Sequence, residues 1–416
     1  MGSPGIEDTR FSTAWLRRFA RTTPGVIGII ALAVGAICVV AGVVTGGQLD
    51  GRIDQRNAVL TRSEPFAYAA QNLYAALSAA DAAAASAFLS GGIETGEMRA
   101  RYQDALARAS SALADATAGA ADRETRTAIA EISAQLSAYT ALVESARANN
   151  RQGFVIGSAY LREASSLMQT SLLPSAEKIY TRNLATVEED QRAIGSLPIV
   201  SLALLALALV AIGVGSLMMY RRTNRQFNIG LVVAATTVVV VIGWVVLATQ
   251  LAAGEIVRSR TEGSERFEQL AKARILAQQA RTDETLELIA RGDTTAREKS
   301  FHAHIDEMGQ LLEAAPAATK DAVEKWTTSH AKQAEAYGAG DYDAAVAQAL
   351  GPSAEQFVAA ESSLRDGIEG TRDTLRDRVS AAGRWLAWSP TGTLVLMVVA
   401  ATAAVIGLWP RLKEFL

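Results

Sequence analysis

The residues with the most evident chemical potential are three histidines and a single cysteine. His302 and His304 form a His-x-His pair on a stretch that reads as amphipathic helix, so their rings point to roughly opposite faces. His302 and Asp306 have the i,i+4 spacing that a helix-borne metal chelate needs. No third ligand is evident, and solvated helix surface is the plainer reading. His330 falls on the apolar stripe of its own helix, where a hydrogen-bonded core histidine and a pH-responsive group are the two readings open to it. One cysteine, Cys38, permits neither an intrachain disulfide nor a cysteine-based structural metal site. Carboxylates are plentiful, but most sit where Arg or Lys can pair with them across one helical turn in water. Phosphate-cradling glycine loops, kinase signatures and nucleophile elbows are all missing. The residues therefore predict no enzyme, no cofactor and no metal. A net charge of -3 without any Lys/Arg-rich stripe argues against nucleic acid as a partner.

The elements that would position these groups are helices. Alanine is abundant, prolines number nine and aromatics make up 6%, a composition that favours long helices over sheets. Apolar residues are gathered into four blocks, 25–47, 197–219, 228–250 and 390–409, each long enough to cross about 30 Å of hydrocarbon and free of charge in its interior. The first block, with Arg17, Arg18 and Arg21 before it, also has the outline of a signal peptide. Its length and the lack of a small-x-small cleavage site favour an uncleaved span. Gly35 and Gly42 have the small-residue character of close helix packing. Otherwise the spans carry none of the midplane marks of a transporter.

Short basic pieces set the orientation. The N-terminal tail 1–24, the loop 220–227 with Arg221, Arg222 and Arg225, and the C-terminal tail 410–416 are expected in the cytoplasm. Arg258, Arg260 and Arg384 run against that bias. Both large segments, 48–196 and 251–389, must share one side and are expected to be extracytoplasmic.

Each large segment reads as four helices. Phe66, Ala70, Leu73, Leu77, Ala80, Ala84 and Phe88 form one apolar seam, and Ile129, Ile132, Leu136, Tyr139, Val143 and Ala146 another. Helices are expected over about 48–90, 96–118, 122–149 and 157–196, with the outer two running unbroken into the flanking spans. The second segment repeats the plan, with Phe301, Ile305, Met308 and Leu312 on one helix and Val323, Trp326, His330, Gln333 and Tyr337 on the next. The expected fold is an all-α membrane protein in which four transmembrane helices carry two extracytoplasmic up-down four-helix bundles. Pro174-Ser175-Ala176-Glu177 recurs as Pro352-Ser353-Ala354-Glu355 early in the fourth helix of each segment. An internal duplication is the reading favoured over chance recurrence, each proline marking a kink or a restarted helix.

A bundle whose end helices continue through the bilayer can convert a change in packing into a displacement on the other side. Chemoreceptors and sensor kinases share this layout, but the cytoplasmic pieces here are too small to form an output domain. A separate cytoplasmic protein would have to dock, with Arg221, Arg222 and Arg225 as candidate contacts. In its order of span, helical segment, span, short basic loop, span, helical segment, span, the whole chain resembles the GlnX-type actinobacterial four-span membrane proteins. That resemblance implies a non-enzymatic relay of amino-acid availability, from an extracytoplasmic glutamate/aspartate-binding lipoprotein to a soluble serine/threonine kinase. It transfers no individual residue. Partner contact is expected at the far tip of the helices, at Gly91, Gly92, Ile93, Phe154, Val155, Ile156, Gly292 and Gly338. Phe154, Val155 and Ile156 fit either a contact patch or a cap on the core. The rival to a sensor is an envelope scaffold for wall or division machinery, and a third reading is direct small-molecule sensing in a groove of the helices.

Overall fold

The computed structural model describes residues 23–90, 94–223, 228–290, 292 and 294–413. In the first half, α1 (Thr23–Ala58) passes through a widened π-type turn, Val59–Ser63, into α2 (Glu64–Leu89). Then come α3 (Gly96–Gly119), α4 (Arg123–Arg151), α5 (Ile156–Leu167), a π-type turn Met168–Leu172, α6 (Leu173–Gly195) and α7 (Ile199–Thr223). The second half runs through α8 (Ile229–Arg258), a π-type turn Ser259–Ser264, α9 (Glu265–Ala290), α10 (Thr295–Leu311), α11 (Ala317–Gly338), α12 (Tyr342–Leu350), α13 (Pro352–Leu386) and α14 (Ser389–Lys413). The described residues contain no strand. Local chemistry starts and stops these helices. The side chains of Thr95, Asp122 and Asp341 accept hydrogen bonds from the backbone N–H groups of Met98, Thr125 and Ala344. Gly153 and Gly340, with φ of 71° and 82°, take the left-handed conformation beyond the ends of α4 and α11.

The expectation of unbroken helices on both sides of each large segment needs correction. The first helix of each segment is continuous with the apolar helix before it, through a π-type turn. The last helix is not: α6 ends at Gly195 and α7 begins at Ile199, and a turn at 387–388 separates α13 from α14. At the first break Pro198 cannot donate a backbone hydrogen bond. The repeated prolines also differ in effect. Pro174 follows the π-type turn inside a continuing helix, where Leu173 N–H reaches back to Met168 O. Pro352 restarts the chain as the first residue of α13.

Two compact units result. One contains Asn57–Gln191 and Val257–Val379. Within it α3 returns along α2, so that the end of α3 at Gly119 lies against Phe66. The end of α4 meets the end of α2 through Asn150 Nδ2, which donates to Phe88 O at 3.0 Å. The end of α6 comes back to the start of α2, where Ser63 Oγ donates to Asp190 at 2.9 Å. The residues of both apolar seams are buried, except Phe88, which is partly so. The two segments do not keep separate cores. One apolar cluster contains Leu73, Tyr74 and Leu77 of α2, Leu276, Ala277 and Ala280 of α9, and Trp326 of α11. Polar contacts reinforce the α2–α9 pairing: Gln279 Nε2 donates to the Tyr74 hydroxyl at 2.9 Å, and Arg274 Nη1 donates to Gln71 and Asn72 at 3.2 Å. Buried Glu64 accepts hydrogen bonds from Arg372 and Arg376 of α13, the latter at 2.7 Å.

The other unit comprises Met1–Arg56, Arg192–Ile256 and Ser380–Leu416. It holds one end of each of the four described helical stretches that are long and apolar enough to cross a membrane, with mean hydropathy of 2.2 to 2.9 over their most apolar windows. Leu32, Ile199, Ile229 and many other large apolar side chains are exposed, as suits a lipid-facing surface. Close packing depends on glycine. A Cβ on Gly42 would lie 2.7 Å from Met397 Cβ, whereas one on Gly35 would make only ordinary contact with Val405. The tightest approach is between α8 and α14: a Cβ on Gly230 would fall 2.4 Å from both Ala403 O and Gly407 Cα. Asn228 Nδ2 secures the same crossing by donating to Gly407 O at 2.8 Å. Gly230→Ala should therefore force α8 and α14 apart, costing about 1–3 kcal/mol as overpacking does. A thermal melt of the detergent-purified chain should show the midpoint lowered by several degrees, while an exposed control, Gly213→Ala, leaves it unchanged.

Candidate functional site

Three places in the helical unit bring functional side chains together. The first is centred on Asp81, the one acid in α2 beyond its opening turn. Its carboxylate is buried in the core and accepts hydrogen bonds from Ser165 Oγ at 2.7 Å and the Tyr139 hydroxyl at 3.3 Å. No cation contacts it among the described residues. Burial raises its pKa to about 6, and the hydrogen bonds from Ser165, Tyr139 and Gln169 offset only part of that shift.

The second is built from α9, α10, α11 and α13 around Glu284, which is fully buried. Arg281 Nη1 donates to Glu284 Oε2 at 2.6 Å, Trp326 Nε1 donates to the same oxygen at 3.2 Å, and Ser353 Oγ donates to Oε1. Burial opposes the charge on Glu284, but Arg281 and His330 outweigh it and hold the carboxyl down at about 2. His330 is buried against Phe301, the rings stacked with centroids 3.6 Å apart. Its Nδ1 faces Glu284 Oε1 at 3.5 Å and its Nε2 lies 3.1 Å from Glu298 Oε2. Burial works against the imidazolium, yet these two acids raise its pKa above the ordinary value. Glu287, also buried and close to Glu298, is pushed up to about 7, chiefly by burial. Glu287, Glu298 and His330 place their ligand atoms within 4.8 Å of one another, a donor set that suits a divalent transition metal. His302 and Asp306 do not come together as a chelate. His302 is exposed and pairs with Glu298 at 3.1 Å, while His304 faces Asp283 at 3.3 Å.

The third is a cavity of about 1140 Å³ between the two halves of this unit, with walls from α2, α3, α9 and α13. Its floor is the alanine face of α2, including Ala75, Ala76, Ala79 and Ala83. Phe357 lines the opposite wall. Arginines from α3, α9 and α13, with Arg62 of the π-type turn before α2, line it as well.

At the tip, Phe154, Val155 and Ile156 are 55%, 89% and 55% exposed, so they do not close over the core. Gly292 and Gly338 are exposed as well. Gly91, Gly92 and Ile93 lie outside the described residues, as does Arg225; Arg221 is exposed on α7, and the side chain of Arg222 is also outside the description.

Comparison with known proteins adds one decisive observation. Residues 55–192 match the family described as the actinobacterial sensor domain. No curated protein and no solved structure matches the chain. The sensor-domain segment thus begins near the end of α1 and closes within α6, taking in Asp81, the exposed tip and the α2–α3 side of the cavity. The match covers less than half of the chain, which also carries four helical stretches long and apolar enough to span a membrane.

Sequence reading missed Asp81, Glu284 and Glu287 because carboxylates on helices are usually solvated. One signal for Asp81 was present: it stands alone among alanines and leucines over most of a helix. The sign of its effect on the sensor-domain segment follows from linkage. The folded chain holds the Asp81 proton up to about pH 6, and the unfolded chain releases it near the reference value of 3.8. Stability therefore falls as pH rises across that window, by an amount on the order of a few kcal/mol. Asp81→Asn should raise the melting midpoint at pH 7.5 and bring variant and parent together near pH 4, read by circular dichroism melts at both pH values.

Proposed function

We propose that this chain is a non-enzymatic transmembrane sensor that relays an extracytoplasmic signal to a separate cytoplasmic protein. One observation carries the reading. A single helical run from Thr23 to Leu89 is apolar enough to cross a membrane in its first part and enters the sensor-domain match in its second. A change in the packing of α2 would be transmitted along that run as a shift or rotation. α8 and α9 offer a second run of the same design.

The recurrence supports an internal duplication. In each half the apolar helix enters a π-type turn and then a helix of 26 residues, Glu64–Leu89 or Glu265–Ala290. Residues 257–379 would then be a second sensing segment, diverged from the first. In this reading both segments lie outside the cell, and Arg221 with its basic neighbours lies inside. The exposed Phe154–Val155–Ile156 patch would dock an extracytoplasmic solute-binding lipoprotein. The resemblance to GlnX-type proteins supports amino-acid availability as the signal and a kinase as the receiver.

The test places single cysteines in a Cys38→Ser background. Ser133→Cys and Asp306→Cys should react with a membrane-impermeant maleimide in intact cells, and Arg221→Cys only after permeabilisation. The opposite pattern sinks the proposal. In the same cells, Phe154→Ser with Ile156→Ser should abolish cross-linking to the extracytoplasmic partner and leave the helical circular dichroism unchanged.

A further inference from the structure

The cavity between the two halves of the helical unit has a chemistry that tip docking does not use. Seven of its lining residues are arginines, against two carboxylates, Asp115 and Glu361. Glu361 is already taken, since it accepts hydrogen bonds from Arg274 Nε and Nη2. Arg101 and Arg108 lie seven residues apart on α3, on one face and about 10 Å from each other along the helix. Both are exposed, and neither forms an ion pair with any described residue. Arg281, Arg365 and Arg372 also pair with acids, Glu284, Asp366 and Glu64, so among the described residues the unpaired positive charge of the cavity rests on Arg62, Arg101 and Arg108.

Two further features define what would fill it. The alanine floor of α2 and the Phe357 and Val358 wall are apolar and leave room for an apolar body. At the back, Gln278 is 1% exposed and lines the cavity, yet its Oε1 has no hydrogen-bond partner. A buried carbonyl oxygen without a donor is costly, so an occupant bringing an N–H or O–H to it would gain in affinity. The volume of about 1140 Å³ lies just above the range of about 300–1,000 Å³ typical of small-molecule sites. A second copy of this chain fits poorly, because a symmetric contact would set arginines against arginines.

We propose that this cavity binds an amphiphilic anion: a carboxylate or phosphate head held by Arg101 and Arg108, an apolar body against α2 and Phe357, and a donor group directed at Gln278 Oε1. The assignment deepens the sensing reading by giving the helical unit its own ligand. Its test measures binding alone, so loss of signalling and loss of binding remain separate outcomes.

The probe is dansylglycine, which combines a carboxylate, a sulfonamide N–H and a fluorescent apolar ring. It is titrated into the full chain in non-ionic detergent, with empty micelles as background. Saturable binding is expected. Arg101→Ala with Arg108→Ala should weaken it about tenfold or more, as the loss of charge-assisted hydrogen bonds implies. Ala79→Trp, which fills the floor without changing charge, should abolish it. Circular dichroism of both variants should match the parent. Neutral dansylamide should bind at least about tenfold more weakly. The proposal is overturned if both variants bind like the parent, or if dansylamide binds as tightly as dansylglycine. Displacement of the probe by inorganic phosphate at equal concentration would overturn it too, because the site would then recognise a bare anion.

Discussion

The pairing of α2 with α9 holds the described helical unit together. Each is the first helix of its segment, and each carries apolar residues into one shared cluster. Small side chains on α2 allow α9 to approach closely, and the Tyr74–Gln279 and Arg274–Gln71 hydrogen bonds fix how the two are aligned. An apolar contact alone would tolerate sliding by a turn. Buried polar bridges make such a slip costly, because each group would lose its partner without regaining water. The same pairing creates the arginine-lined cavity, which takes walls from both segments.

Burial of charge is handled differently in the two segments. Glu284 has Arg281 beside it and His330 within reach, so its carboxylate stays ionised despite complete burial. Asp81 has only neutral hydrogen-bond donors, and its proton is retained to about pH 6. A buried ion with a hydrogen-bonded counter-ion acts as a fixed part of the core. A buried acid without one makes the stability of the first segment rise as pH falls through about 6, and in the second segment Glu287, pushed up to about 7, adds a titrating group beside the fixed Glu284 ion pair.

Much of this was legible from residue order, and the limits have a physical cause. The apolar blocks and the 3–4 spacing of Phe66 through Ala84 or Ile129 through Ala146 are local patterns, and the helices they predicted are present with those residues buried. The turns at Gly153 and Gly340 and the restart at Pro352 are also local, set by backbone conformation and a missing donor. The π-type turns were not foreseen, since a widened turn leaves no spacing signature that a proline or glycine would. His330 was placed on the core side of its helix, but its partners could not be named. Glu284 and Glu298 precede it by tens of residues, and only the packing of α9 and α10 against α11 joins them. The cavity was beyond reach for the same reason. Arg108 and Gln278 come from segments that no sequence rule sets face to face.

The joining of the two segments through α2 and α9 can be tested by cross-linking across Tyr74 and Gln279. In a Cys38→Ser background, Tyr74→Cys and Gln279→Cys would be treated with a short bifunctional maleimide, and a protease site placed at 224–227 would then be cut. The account predicts a product that runs as a monomer before cleavage and whose halves stay joined on a denaturing gel afterwards. Halves that separate, or cross-links that form only between chains, would contradict it.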